Sequence, residues 1–114
     1  MKIRQVAELL DAEVLCCEDL LEEEALSACG SDMMSDVLAY VKDQAVLLTG
    51  LVNPQVVRTA MMMDMRCVVF VRSKQPTQDM VELAKENHIA ILTTKNRMYE
   101  SCGKLYAAGL GGQE

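Results

Sequence analysis

Four of the chain's eleven basic residues, Arg72, Lys74, Lys95 and Arg97, stand beside small polar residues in short segments rich in turn formers. Those segments are Thr49-Gly50-Leu51-Val52-Asn53, Arg72-Ser73-Lys74-Gln75-Pro76 and Thr94-Lys95-Asn96. Guanidinium and ammonium groups hold phosphates through charge-assisted hydrogen bonds, hydroxyl and amide side chains add neutral donors, and glycine lets the backbone move close to a ligand. The chemistry on offer is recognition of a small anion, a phosphate or a nucleotide, by Thr49, Gly50, Asn53, Arg72, Ser73, Lys74, Thr94, Lys95 and Asn96, with Arg97 close by. The competing reading makes these residues solvated loop charges with ordinary surface partners.

Each segment follows an almost uncharged run: Ala45 to Thr49, Cys67 to Val71 and Ile89 to Thr93. Such runs suit strands covered on both faces, as in parallel sheets. Helices are expected behind them at 54–64, 77–87 and 96–108. Asn53 can cap the first, and Pro54 at its first position leaves no N–H orphaned. Three consecutive strand–helix units require right-handed crossovers and bring the three loops to the carboxyl edge of one sheet. Open α/β folds usually hold ligands at that edge, and helix N-termini at Asn53 and Asn96 would add backbone N–H donors.

Upstream, the spacing predicts a helix over 3–10, a strand over 13–17 and a second strand over 25–29 ending at Gly30. Ser31 or Ser35 should cap a helix running through Val41, with Asp32 and Asp36 in its early turns, where the helix dipole favours negative charge. Gly109 to Glu114 should fray. The expected architecture is a single three-layer α/β domain with a mostly parallel sheet over residues 1–110 and a flexible tail over 111–114.

At 114 residues and 51% apolar content, one domain with a real core is possible. With no Trp and one Phe, that core must be aliphatic and Met-rich. Four of the nine Met fall at 61–63 and 65, and one helix cannot turn all four inward, so core packing with a dimer surface as the second use is expected there. Lys2 and Arg4 lead into an amphipathic segment, and no 18-residue apolar run exists, so a cytoplasmic protein without a membrane segment is expected. The five Cys include no C-x-x-C pair and fit neither a disulfide framework nor zinc spacing. Residues 1–43 carry eleven acids against three bases, while the remainder is slightly basic. The net charge of −6 disfavours nonspecific nucleic-acid binding, and Glu22-Glu23-Glu24 reads as a solvated loop. His88, the sole His, sits where a helix passes into a strand, opposite the candidate edge, and leaves the cysteines without a base to activate them.

The order of motifs resembles the DRTGG domain family, which is similar to the N-terminal domains of HPr kinase/phosphorylase and of Mur ligases. The matching stretches are Ala28-Cys29-Gly30-Ser31-Asp32-Met33-Met34-Ser35-Asp36-Val37-Leu38, Val46-Leu47-Leu48-Thr49-Gly50 and the run from Met80 to Thr94. Where the family has Asp-Arg after the central strand this chain has Val52-Asn53, and where it has Thr-Gly-Gly after the next strand this chain has Arg72-Ser73-Lys74. Asn96-Arg97 stand for the family's Asp-Thr. The resemblance implies a bacterial regulatory module, with stand-alone members associated with hydrogenase gene clusters. It does not imply kinase activity, because the phosphate-cradling G-x-x-x-x-G-K-[ST] loop is absent, and Gly109-x-Gly111-Gly112 has no following helix to serve as a dinucleotide fingerprint.

Together these readings point to a non-catalytic, self-associating module that senses a small anionic ligand and needs no cofactor or metal. The alternative is an adaptor that docks a partner enzyme through its acidic N-terminal third or its Met-rich helix.

Overall fold

The computed structural model describes residues 1–40 and 44–111. Val41, the expected end of the second helix, and residues 112–114 of the expected tail lie outside them. In chain order the elements are α1 (Ile3–Leu9), β1 (Glu13–Cys16), a 3-10 turn (Glu18–Glu22), β2 (Ser27–Gly30), α2 (Met34–Tyr40) and β3 (Ala45–Thr49). There follow α3 (Pro54–Met62), β4 (Cys67–Phe70), α4 (Gln78–Glu86), β5 (Ala90–Thr93) and α5 (Met98–Ala107).

The five strands form one sheet in the order β1-β5-β4-β3-β2. β2 through β5 are parallel, and β1 adds to β5 antiparallel, with a register shift between Val14 and Cys16. Because the parallel strands advance one way, right-handed crossovers put α2, α3 and α4 on the same face. Their apolar sides meet Leu47, Val68, Phe70 and Ile91 in a core that includes Val37, Val56, Val57, Met80 and Ala84. The other face is covered by the terminal helices: Ile3, Val6 and Leu10 near α1 and Leu105 of α5 pack on Val46, Leu48, Val69 and Leu92. Adjacent residues of each strand thus serve opposite cores, the period-2 alternation of a sheet buried on both sides.

Local sequence explains the helix starts. Asn53 accepts the Gln55 amide at 2.8 Å and Pro54 opens α3; Thr77 accepts the Met80 amide at 3.3 Å and opens α4. His88 follows α4 with φ of +55°, and its imidazole reaches Asp19 in the 3-10 turn. It is a helix-end residue, as its position in the sequence suggested.

Several expectations need correction. The acidic run is not merely solvated: Glu22 pairs with Lys2 and Arg4, Glu23 with Arg66, and Glu24 with the N-terminal ammonium. These contacts tie α1 and the start of β4 to the segment before β2. Fraying does not begin at Gly109, since Leu110 is buried and its amide donates to the Leu105 carbonyl. α3 ends at Met62, where Met61 and Met62 are exposed while Met65 is buried. Asp32 lies ahead of α2, with its carboxylate engaged elsewhere.

Candidate functional site

The three loops do meet at the carboxyl edge, but they do not make one continuous row of donors. Around β3, the Thr49 hydroxyl donates to Asp32 Oδ1 at 3.0 Å and the Gly50 amide donates to the same oxygen at 2.7 Å. The other Asp32 oxygen faces Arg72 Nη2 at 3.6 Å. Arg72 lies directly over Gly50: a Cβ there would stand 1.9 Å from Nη2, so only glycine leaves room for the guanidinium. Two donors and one cation of the expected site therefore converge on a carboxylate of the chain itself.

Sequence reading missed Asp32 in this role. Its partners lie 17 and 18 residues away, so no local pattern links them. The available signal was an acid two residues beyond Gly30, which places it at the same edge as Thr49 and Gly50.

The β4–α4 loop is held by its neighbour. Arg72 and Ser73 both adopt left-handed backbone, φ +59° and +58°, and their amides donate to the carbonyls of Asn96 at 2.8 Å and Thr94 at 2.9 Å. Such conformations cost L-residues about 1–2 kcal/mol each, offset here by the cross-loop hydrogen bonds. The Thr93 hydroxyl adds a bond to the Lys74 carbonyl at 2.8 Å.

Thr94 and Asn96 act as supports. Thr94, buried, donates its hydroxyl to the Leu10 carbonyl at 2.6 Å, and Asn96 Nδ2 donates to the same carbonyl at 2.9 Å. That accounts for the end of α1. Asn96 does not cap the last helix as expected; the residue at that position is Arg97, with no side-chain capping bond. Asn53 is exposed but spends its carbonyl on the α3 cap.

What remains open is Ser73, Lys74, Lys95 and Arg97, all exposed. Lys74, Lys95 and Arg97 have no carboxylate partner among the described residues. After β4 the chain turns to one face of the sheet and after β5 to the other, so their loops diverge. Between them lies a hollow of about 260 Å³ lined by Ser73, Gln75, Thr93, Thr94 and Lys95, with Asp11 and Glu13 on its β1 side. The divergence is the geometry that creates ligand crevices in open sheets.

Four of the five cysteines are poor nucleophiles. Burial raises Cys17 to about 11 and Cys67 to about 12, and lifts Cys29 and Cys102 above their ordinary value as well. Thiols shifted this way stay protonated and unreactive at neutral pH. No group of three or more His, Cys, Asp or Glu among the described residues is placed to hold a metal ion. No helix among them is long and apolar enough to cross a membrane.

Comparison with known proteins bears on the frame rather than on the site. Among solved structures, the chain is similar to the CBS and DRTGG domains of the regulatory region of Clostridium perfringens pyrophosphatase, in a crystal structure complexed with its activator, diadenosine tetraphosphate. The TM-score is 0.75 at 14% identity, over 91% of this chain and 45% of that one, so the chain spans less than half of that protein's solved length. The likeness is one of fold. A search of curated proteins returned no match. The family profile described as the DRTGG domain matches residues 5–108, nearly the whole chain, and the chain belongs to that family.

Proposed function

We propose that this DRTGG domain is a regulatory, ligand-sensing module that binds a phosphate-bearing small molecule, a nucleotide by preference, at the carboxyl edge of its sheet. The observation that carries this reading is that Lys74, Lys95 and Arg97 stand exposed and unpaired with described carboxylates on two adjacent loops of an otherwise acidic protein. Lys95 lines the hollow with the Ser73 hydroxyl, and Lys74 and Arg97 stand close by in the same loops; a cation beside a hydroxyl donor suits phosphate oxygens. That the solved neighbour is a regulatory region complexed with a nucleotide activator supports the ligand class. In this reading Ser73, Lys74 and Lys95 touch the ligand, Arg72 reaches it if released from Asp32, and Thr49, Gly50, Asn53, Thr94 and Asn96 hold the loops in place. The adaptor reading has less support: Glu22, Glu23 and Glu24 are each paired within the chain, and exposed Met61 and Met62 on α3 name no partner.

The test is a thermal-shift series with adenine and guanine nucleotides and inorganic phosphate at low ionic strength, on the wild type and on the Lys74→Ala/Lys95→Ala variant. A ligand at about a hundred times its dissociation constant stabilises the native state by about 2.7 kcal/mol, a rise of roughly ten degrees for a domain of this size. A rise in the wild type that is lost in the variant supports the site. No rise with any ligand, or an equal rise in the variant, refutes it.

A further inference from the structure

A second cavity lies on α5, away from the hollow between the loops. It is a cleft of about 540 Å³ between α5 and the edge strand β2, with an apolar floor from Ala28, Cys102, Leu105 and Leu110. Its volume falls within the range of small-molecule sites, which are mostly apolar with a few placed polar groups. Tyr99 and Tyr106 line it while remaining 89% and 74% exposed. Two aromatic rings left that open bury little area for the fold, so packing does not explain them.

Gly103 stands between the two tyrosines, at i+4 from one and i−3 from the other, and therefore on the same helix face. A Cβ on Gly103 would meet nothing within 4 Å. The result is a notch at Gly103 in a cleft that both tyrosines line. Seven residues of helix separate the tyrosine attachment points by about 10.5 Å. With both rings left open to solvent, a flat ring lying in the notch can stack on an aromatic face.

The cleft is also joined to the carboxyl edge by charge. Lys104 lines it, and its ammonium donates to Asn96 Oδ1 at 3.3 Å, in the loop that carries Lys95. An anion attached to a ring in the notch would find Lys104 first and the β5–α5 loop cations next. Glu100, also on the cleft wall, can accept from an amino group on the ring. The apolar face thus has its complement defined: a flat heterocycle with a phosphate tail.

We infer that the Tyr99–Gly103–Tyr106 notch is the base subsite of this domain, taking the heterocycle of a nucleotide whose phosphates run past Lys104 toward Lys95. The inference rests on the anion-binding reading of the carboxyl edge. ADP and ribose 5-phosphate are the probes, titrated by calorimetry at low ionic strength into the wild type and into Tyr99→Ala/Tyr106→Ala. Both tyrosines are exposed, so the variant keeps its fold, which circular dichroism checks. Loss of stacking on aromatic side chains weakens binding by about five- to 150-fold per base. The expected result is ADP binding at least fivefold tighter than ribose 5-phosphate to the wild type, and that advantage abolished in the variant with ribose 5-phosphate unchanged. Equal binding of the two probes, or an ADP advantage that survives the variant, overturns the base subsite and leaves the anion site standing. Failure of both probes on the wild type overturns both. If the variant instead converts a dimer to a monomer on gel filtration while ADP affinity holds, the face is a contact between copies and the proposal falls.

Discussion

The Asp32 carboxylate accepts the Gly50 amide at 2.7 Å, across 18 residues of sequence, and so fixes the loop after β2 over the end of β3. The same oxygen takes the Thr49 hydroxyl. Gly50 and Thr49 are both buried, so their donors have little water to fall back on. Asp32→Ala is expected to destabilise the domain by about 1–2 kcal/mol, the cost of two partly buried donors left unpaired. Asp32→Asn keeps an acceptor oxygen and should recover most of that loss, while freeing Arg72 from its carboxylate and strengthening phosphate binding. Urea unfolding and phosphate titration of both variants check this; an Asn variant as unstable as Ala would show that the charge, not the hydrogen bonds, is what matters.

Gly50→Ala separates position from identity. Its new methyl would overlap the Arg72 guanidinium, the far end of a flexible side chain, rather than backbone. The expected stability loss is therefore small, under about 1 kcal/mol, with Arg72 displaced from the Asp32 carboxylate. Released from Asp32, Arg72 should reach the ligand, so phosphate affinity should rise in Gly50→Ala as in Asp32→Asn, and adding Arg72→Ala should cancel that rise. A change in affinity that survives Arg72→Ala in a double-mutant cycle would mean that Gly50 acts through something other than room for Arg72.

Much of the frame was legible in the sequence because uncharged runs and period-2 burial go together. Ala45 to Thr49 is buried throughout, and Asn53-Pro54 opens a helix as the cap chemistry demands. Strand order was not legible, since nothing local in Glu13–Cys16 says that it pairs antiparallel with β5 rather than joining the parallel set. The edge loops were placed correctly, but the division of labour among Thr49, Thr94 and Asn96 was hidden. Their partners, Asp32 and the Leu10 carbonyl, come from segments 17 to 86 residues away. The Tyr99, Gly103 and Tyr106 face went unread in the sequence, because a pair of tyrosines on a helix ordinarily packs and only the structure shows that these rings are left open.

Acid should loosen the N-terminal tie. The hydrogen bond from Arg4, with a second from Lys2, holds the Glu22 carboxyl below its ordinary value of 4.5. A carboxylate with a folded pKa below its unfolded one stabilises the protein fully above the unfolded value and loses that contribution as pH falls through the folded one. Glu22 is fully exposed, so the effect is small and screened by salt. In urea titrations at low ionic strength, wild type should exceed Glu22→Gln in stability at pH 7, and the difference should shrink progressively below 4.5. A gap that stays constant with pH would exclude the ion pairs as its source.

Ser73 gives the sharpest conflict between stability and function. Its φ of +58° follows Arg72 at +59°, two consecutive L-residues in a region that glycine enters freely. Ser73→Gly relieves about 1–2 kcal/mol of steric cost in the folded state and gives back about 0.5–1 kcal/mol through the greater freedom of the unfolded chain. The net expectation is a gain of up to about 1 kcal/mol, provided the Ser73 amide keeps its bond to the Thr94 carbonyl, which needs no side chain. The substitution also removes the one exposed hydroxyl of this loop that faces the hollow beside Lys95. If that hydroxyl binds phosphate, affinity should fall by about five- to tenfold while the melting temperature rises, the opposite movements expected where a strained residue is retained for its chemistry. A variant that gains stability and keeps full affinity would assign Ser73 to loop geometry alone and leave Lys74 and Lys95 as the groups that hold the anion.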